Sequence, residues 1–82
     1  MFIAKVYISL KPSVNDPQGL TIRSGLHQLG FDSVLDVRAG KYMEIRVDED
    51  EESAAQDHVS QMCRQLLSNP IIEDFRFDLE PI

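Results

Sequence analysis

The sequence predicts a small α+β protein whose strands and helices follow one another in the order βαββαβ. Three observations lead to this fold class. Several stretches alternate apolar and polar residues with a period of two, two others repeat apolar residues at helical spacing, and glycine, proline or a capping residue separates them. The 82 residues are expected to form one domain, residues 1–82.

The charge balance excludes several kinds of partner. Eight basic and fourteen acidic residues give a net charge of −6, which disfavours nucleic acid and anionic membranes.

No apolar run reaches the length of a spanning helix, and the first residues lack the features of a signal peptide. A single cysteine, Cys63, cannot form an internal disulfide, so a cytoplasmic protein is expected. A core this small also favours self-association.

The first strand and the first helix have clear boundaries. Residues 2–10 alternate as a half-buried strand does. Asp16 is placed to cap a helix that begins at Pro17, where a missing N–H costs nothing. Gly30 is expected to end this helix in a left-handed conformation. The helical stripe predicted to be buried consists of Ile22, Leu26 and Leu29.

Residues 34–48 predict a β-hairpin. Residues 34–39 and 41–48 both alternate, and Gly40 between them can adopt the positive φ of a tight turn. Gly40-Lys41 also suggests a phosphate-binding loop, but that loop needs an earlier glycine where Leu35 stands and a hydroxyl where Tyr42 stands. We therefore expect the hairpin, with Lys41 at its tip.

The second half of the chain predicts a helix and a last strand. The helix follows the acidic run 48–52 and ends at Asn69-Pro70, and the strand lies within residues 71–79. The acidic run is expected to stabilise the start of the helix through the helix dipole. A calcium-binding EF-hand loop is the less suitable interpretation, because it would need glycine at the position of Ser53. Cys63 is expected to be a partly buried, inert thiol.

These elements predict a ferredoxin-like two-layer sandwich, with a four-stranded antiparallel sheet and both helices on one face. The other face of the sheet would be bare, and its composition suits a protein interface as well as a solvated surface. An RNA-binding module of this topology needs stacking aromatics in a basic field, which this acidic chain lacks. The residues predicted on the bare face are Lys5, Tyr7, Asp36, Arg38, Tyr42, Glu44, Arg46, Asp74 and Arg76.

Four motifs together resemble the PurS family, the small subunits of phosphoribosylformylglycinamidine synthase. They are a strand ending in Leu10-Lys11, the D-P-Q-G helix entry from Asp16 to Gly19, the V-R-A-G-K run from Val37 to Lys41 followed by Glu44, and the passage from Asn69 to Phe75. The resemblance covers essentially the whole chain. The acidic run is the part that we expect to vary within the family.

The resemblance implies a non-catalytic part of an amidotransferase in purine biosynthesis, with no cofactor in this chain. The whole enzyme would use ATP and glutamine to convert formylglycinamide ribonucleotide (FGAR) into formylglycinamidine ribonucleotide (FGAM). A large synthetase subunit would carry ATP and Mg²⁺, a glutaminase subunit would release ammonia, and this chain, as a homodimer or higher oligomer, would bridge them. The candidate interface residues are Tyr7, Asp16, Pro17, Gln18, Gly19, Arg38, Lys41, Tyr42, Glu44 and Arg46.

Two alternatives stay open. The motif residues among these candidates also suit turn and cap geometry. An ACT-like regulatory module shares the predicted topology and binds amino acids near a glycine-bearing loop after the first strand, whereas here Gly19 falls inside the predicted helix. An acylphosphatase-like enzyme would need an arginine in that loop, and this sequence has none there.

Overall fold

The computed structural model describes residues 1–82 and contains a three-stranded antiparallel sheet with two helices. The strands are β1 (Phe2–Leu10), β2 (Gly40–Val47) and β3 (Glu73–Pro81), and β1 lies in the middle in the order β2-β1-β3. Helix α1 spans Pro17–Gln28. Helix α2 spans Glu52–Met62 and continues as a single π-helical turn, Cys63–Leu67.

The register of the sheet separates an apolar face from a polar one. Val6 lies opposite Met43 of β2 and Phe77 of β3, whereas Tyr7 lies opposite Tyr42 and Arg76. Because successive side chains of a strand point to opposite faces, these two rows repeat along the whole sheet. The even-numbered residues of β1 from Phe2 to Ile8 are buried, as the alternating pattern predicts.

The core lies between the apolar face of the sheet and α2. Ala55, Val59 and Cys63 pack against β1 at helical spacing. Cys63 is completely buried, and this burial raises the pKa of its thiol. The fully buried residues of the core are few, and the apolar residues that surround them are only partly covered. These partly covered residues are Met43, Ile45, Leu67, Phe75, Phe77 and Leu79.

Helix α1 differs from the prediction that both helices cover the sheet. Its start and end are as predicted, since Asp16 caps it and Gly30 has a φ of 96°. However, α1 contributes no residue to the core, and Ile22 and Leu29 are exposed. The molecule measures 50 × 27 × 14 Å with a radius of gyration of 16.3 Å, whereas about 12 Å is expected for a compact chain of this length. The helix therefore extends away from the core.

The predicted fourth strand is also wrong. Residues 34–39 form no ladder, and β2 is consequently an edge strand. Gly40 makes no turn, because it lies in β2 opposite Ser9 without a positive φ. A Cβ on Gly40 would approach the carbonyl oxygen of Ile8 to 2.6 Å, so close packing of two strands explains this glycine. A segment forms a strand only where its backbone can pair with a neighbouring strand. Residues 34–39 pair with no strand of this chain and lie along α1 instead.

Candidate docking surfaces

Asp16 fastens the segment before β2 to the first turn of α1. Its Oδ1 accepts a hydrogen bond from the backbone N–H of Gly19 at 2.9 Å, and its Oδ2 accepts one from that of Ala39 at 2.7 Å. These two hydrogen bonds hold the pKa of the Asp16 carboxyl below its ordinary value, because they stabilise the charged form. The carboxylate is therefore a structural clip, and only 5% of the residue is exposed.

Two further contacts bind α1 to the segment that follows it. A Cβ on Gly19 would collide with the carbonyl oxygen of Val37, so only glycine allows the two backbones to approach. At the other end of the helix, the Nε2 of His27 lies 2.8 Å from the carbonyl oxygen of Val34. Residues 16–39 thus form one connected unit, which we call the α1 arm.

Arg38 and Lys41 lie beside the base of the α1 arm. Arg38 donates a hydrogen bond from Nη2 to the carbonyl oxygen of Lys11 at 2.9 Å. The ammonium of Lys41 lies 3.7 Å from a carboxylate oxygen of Glu73. Lys41 is opposite Ile8, on the side of the apolar face, and not at a hairpin tip as predicted. Both cations remain largely exposed, as do Pro17 and Gln18.

On the polar face, an ordered row of side chains crosses all three strands. The guanidinium of Arg76 lies 3.9 Å from the centre of the Tyr7 ring, and the rings of Tyr7 and Tyr42 are 5.0 Å apart at 46°. The hydroxyl of Tyr42 donates a hydrogen bond to Glu44 at 2.7 Å. This bond raises the pKa of Tyr42 to about 12, since the neutral phenol is the donor. We call this row the tyrosine row.

Charged residues continue the polar face beyond the tyrosine row. Lys5 forms an ion pair with Glu80 at 3.2 Å, and this hydrogen bond raises the pKa of Lys5. Arg46 forms no ion pair, and its Nη2 lies 4.0 Å from the Sδ of Met1. A face with tyrosine and arginine at its centre and charges around them has the composition of a binding surface.

The structure brings only part of the predicted site together. Tyr7, Tyr42, Glu44 and Arg46 share the polar face. Arg38 lies before β2, outside the sheet. Arg76 completes the tyrosine row but was not among the predicted interface residues; the alternation of the last strand placed it on this face, and only the register of β3 reveals its contact with Tyr7.

Groups able to perform chemistry are scarce in the structure. No cluster of three or more histidine, cysteine or acidic side chains is arranged to hold a metal ion. Cys63 is buried with a raised pKa and is therefore a poor nucleophile.

Glu49 lies 2.8 Å from the Nδ1 of His58, so part of the acidic run supports α2, although no side chain caps this helix. None of the helices is both long and apolar enough to span a bilayer.

Comparison with known proteins then identifies the family. Residues 3–81 match the PurS family, described as phosphoribosylformylglycinamidine (FGAM) synthase. The chain belongs to the PurS family. Its sequence is 43% identical to the PurS subunit of FGAM synthase from Bacillus subtilis, over 100% of this chain and 96% of that one.

Solved PurS structures have the same fold as this chain. PurS from Methanocaldococcus jannaschii, a subunit of formylglycinamide ribonucleotide amidotransferase in the purine biosynthetic pathway, matches with a TM-score of 0.89 at 39% identity. That match covers 100% of this chain and 99% of the other. A chain of the PurLQS structure from Thermotoga maritima matches with a TM-score of 0.85 at 25% identity, over 98% and 99% of the two chains. The chain is thus a PurS subunit of the FGAM synthase of purine biosynthesis, as the four motifs predicted.

Proposed function

We propose that this chain is a structural subunit that pairs with a second copy of itself and bridges the synthetase and glutaminase subunits of FGAM synthase. The observation that carries the proposal is the exposed α1 arm in a member of the PurS family. Apolar residues of a helix and of a sheet face lie open in the same chain. Surfaces of this kind mark a protein that works in an assembly.

The second copy would contact the apolar surfaces. Leu20, Ile22, Leu29 and Phe31 are all exposed on or just after α1. The apolar face of the sheet is covered by α2 alone and leaves Phe75, Phe77 and Leu79 only partly buried. Each Å² of apolar area removed from water contributes about 25 cal/mol of favourable free energy, so covering both surfaces with another copy would stabilise the pair.

The larger subunits would contact the polar face and the base of the α1 arm. The tyrosine row is ordered before any partner arrives, because each ring already has a neighbour in the sheet. Side chains ordered in advance lose less entropy on binding, and tyrosine and arginine often dominate the energy of an interface. Pro17, Gln18 and Lys41 are exposed near one end of the sheet and extend this candidate surface.

Such docking would have a chemical purpose. In the conversion of FGAR to FGAM, the glutaminase subunit would release ammonia from glutamine, and the synthetase subunit would use it with ATP and Mg²⁺. Ammonia that escapes into water is protonated and lost as a nucleophile, so tight docking of the two subunits protects the reaction. This chain would contribute contacts and no catalytic group. We place it in the cytoplasm, where free thiols such as Cys63 stay reduced.

Reconstitution of the synthase tests the proposal. We expect glutamine-dependent FGAM formation by the two larger subunits to require this chain, while formation driven by ammonium chloride proceeds without it. Ammonium supplies the nucleophile from solution and serves as the control for an intact synthetase. An equal glutamine-dependent rate without the chain, or hydrolysis of ATP or glutamine by the chain alone, would show the proposal to be wrong.

The role of the polar face has its own test. We expect Tyr7→Ala and Arg76→Ala to weaken binding to the larger subunits by about tenfold or more, as loss of a central aromatic or arginine contact does. Gln61→Ala, an exposed change on α2, is the matched control. Binding is measured by fluorescence anisotropy of the labelled chain, and unchanged affinity for both variants would exclude this face as the docking surface.

A further inference from the structure

We propose that a depression beside Gly40 receives an acidic side chain, an aspartate or a glutamate, of a larger subunit of the synthase. This contact depends on the docking of the polar face proposed above and specifies its chemistry: a carboxylate of the partner meets a cation of this chain. We call the concave surface the Gly40 depression, and it encloses about 310 Å³. The lining residues that matter for the contact are Tyr7, Ser9, Arg38, Gly40, Lys41 and Tyr42.

The Gly40 depression differs in charge from the other concave surfaces of the chain. The chain carries fourteen acidic and eight basic residues, and three of its four depressions include at least one acidic residue. The Gly40 depression includes none, and two cations, Arg38 and Lys41, line it. A concave surface lined by one sign of charge focuses the field and attracts a group of the opposite sign. The charge of this depression therefore suits an anion.

The position of Gly40 explains where the depression lies. Gly40 is opposite Ser9 at the start of β2, on the same face of the sheet as Tyr42 two residues later. Because Gly40 has no side chain, the polar face has a gap at this end. Tyr7 and Tyr42, which line the depression, also belong to the tyrosine row, so the two surfaces are continuous.

The carboxylates of this chain on the neighbouring part of the polar face already have partners. Asp74 lies opposite Ser9 on β3 and pairs with the ammonium of Lys11 at 3.5 Å. Glu44 accepts the hydrogen bond of the Tyr42 hydroxyl at 2.7 Å. Neither carboxylate lines the depression, so the place for an anion is open to another molecule.

Arg38 is the main donor of the Gly40 depression. Its Nη2 donates to the carbonyl oxygen of Lys11 at 2.9 Å, and Arg38 forms no ion pair within the chain. A guanidinium has five N–H donors, so the others can bind a carboxylate in bidentate geometry. Lys41 lies opposite Ile8, toward the apolar face, and Glu73 at 3.7 Å partly balances its charge. Lys41 therefore adds to the field, whereas Arg38 makes the contact.

A free anion is a poor occupant of such an open depression. One exposed ion pair changes an equilibrium constant by about fivefold or less, which is too little to hold a small carboxylate or phosphate. The same ion pair becomes stronger when a partner covers it and excludes water. The acidic group is therefore expected on a protein that also contacts the tyrosine row, and in the proposed assembly that protein is a larger subunit.

Carbodiimide cross-linking in the reconstituted synthase tests the contact directly. A carbodiimide converts a carboxylate of the partner into an O-acylisourea, and the amine of the Arg38→Lys chain displaces the urea to form an amide. We expect mass spectrometry to locate this amide between position 38 and an aspartate or glutamate of a larger subunit. Arg64→Lys, which places an amine at an exposed position of another depression, is the matched control and should give no cross-link through position 64.

Affinity supplies a second readout. Arg38→Ala should weaken binding to the larger subunits by about tenfold or more, as loss of a central arginine contact does. The remaining affinity should also depend less on the concentration of NaCl, because one ion pair fewer is screened. Arg64→Ala removes the same charge outside the depression and should change neither property. Fluorescence anisotropy of the labelled chain gives the dissociation constants, and circular dichroism verifies that each variant folds.

The outcomes separate this contact from the docking of the polar face. A cross-link from position 38 to an acidic residue, together with weaker binding of Arg38→Ala, supports the contact. Full affinity of Arg38→Ala, or no cross-link through position 38, overturns it. In that case the docking of the polar face stands if Tyr7→Ala still weakens binding, and is wrong if it does not. Micromolar binding of inorganic phosphate or acetate by the isolated chain, abolished by Arg38→Ala, also overturns the contact, because the depression would then bind a free anion.

Discussion

The carboxylate of Asp16 accepts a hydrogen bond from the backbone N–H of Ala39 at 2.7 Å, across 23 positions of sequence. Its other oxygen accepts one from Gly19 at 2.9 Å, so one side chain caps α1 and also holds the residue that precedes β2. The fold therefore accounts for part of the D-P-Q-G motif, because two of its four residues, Asp16 and Gly19, make contacts within the chain.

The Asp16 clip should make the stability of the chain sensitive to acid. The folded pKa of this carboxyl lies below its ordinary value of 3.8, so its contribution is complete above that value and is lost as the pH falls through the folded pKa. We expect wild type to unfold at a higher temperature than Asp16→Asn near pH 7, and the difference to shrink toward pH 3. Thermal unfolding followed by circular dichroism measures it.

Asp32→Asn, which changes an exposed acid just after α1, is the matched control for this experiment. It should lower the unfolding temperature little at any pH. A difference between wild type and Asp16→Asn that stays constant from pH 7 to pH 3 would contradict the assigned role of the charged carboxylate.

Two glycines of α1 should respond to alanine in opposite ways. Gly19→Ala places a Cβ against the carbonyl oxygen of Val37 and should separate α1 from the segment that follows it, lowering the unfolding temperature. A Cβ on Gly25 meets nothing within 4 Å, so Gly25→Ala should stabilise the helix by about 1 kcal/mol. Chemical denaturation of both variants gives the free energies of unfolding, and a stabilising Gly19→Ala would refute the close approach.

Sequence patterns predicted the local features of this fold well. β1 was predicted over its observed residues, and the cap at Asp16 and the left-handed Gly30 were both confirmed. These features depend on neighbouring residues: alternation gives a strand its two faces, and a side-chain oxygen three positions before a free amide can reach it. Local physics was therefore sufficient to locate them.

The arrangement of segments that are distant in the chain could not be predicted from the sequence patterns. Residues 34–39 alternate as a strand does, but alternation says nothing about which edge such a segment meets or whether the edge belongs to the same chain. The error at Gly40 has the same origin, because glycine serves a tight turn and a close strand approach equally well. Likewise, Tyr7 and Tyr42 were placed on one face correctly, whereas the contact of Arg76 depends on a register that no pattern encodes.

The hydrogen bond between Tyr42 and Glu44 should be visible in alkaline titration. The pKa of Tyr42 is raised from 10.0 to about 12, so the bond stabilises the folded state below pH 10 and is lost as the pH rises toward 12. We expect Glu44→Gln to return this pKa toward 10 by removing the charged acceptor. Absorbance of the phenolate near 295 nm follows the titration.

Tyr42→Phe identifies which of the two tyrosines is responsible. In this variant the transition near pH 12 should disappear from the absorbance curve. If wild type and Glu44→Gln give superimposable curves, the hydrogen bond does not control the ionisation of Tyr42.

Leu29 should contribute to the pairing of copies although it contacts little within its own chain. It is 74% exposed at the end of α1, and an apolar side chain in that position gains free energy only when another molecule covers it. We expect Leu29→Ser to weaken the homodimer by about tenfold, since a buried leucine contributes roughly 1.5–3 kcal/mol. The neighbouring change Gln28→Ser, also exposed, should leave the dimer intact. Light scattering over a dilution series gives both constants, and equal values for the two variants would remove α1 from the interface.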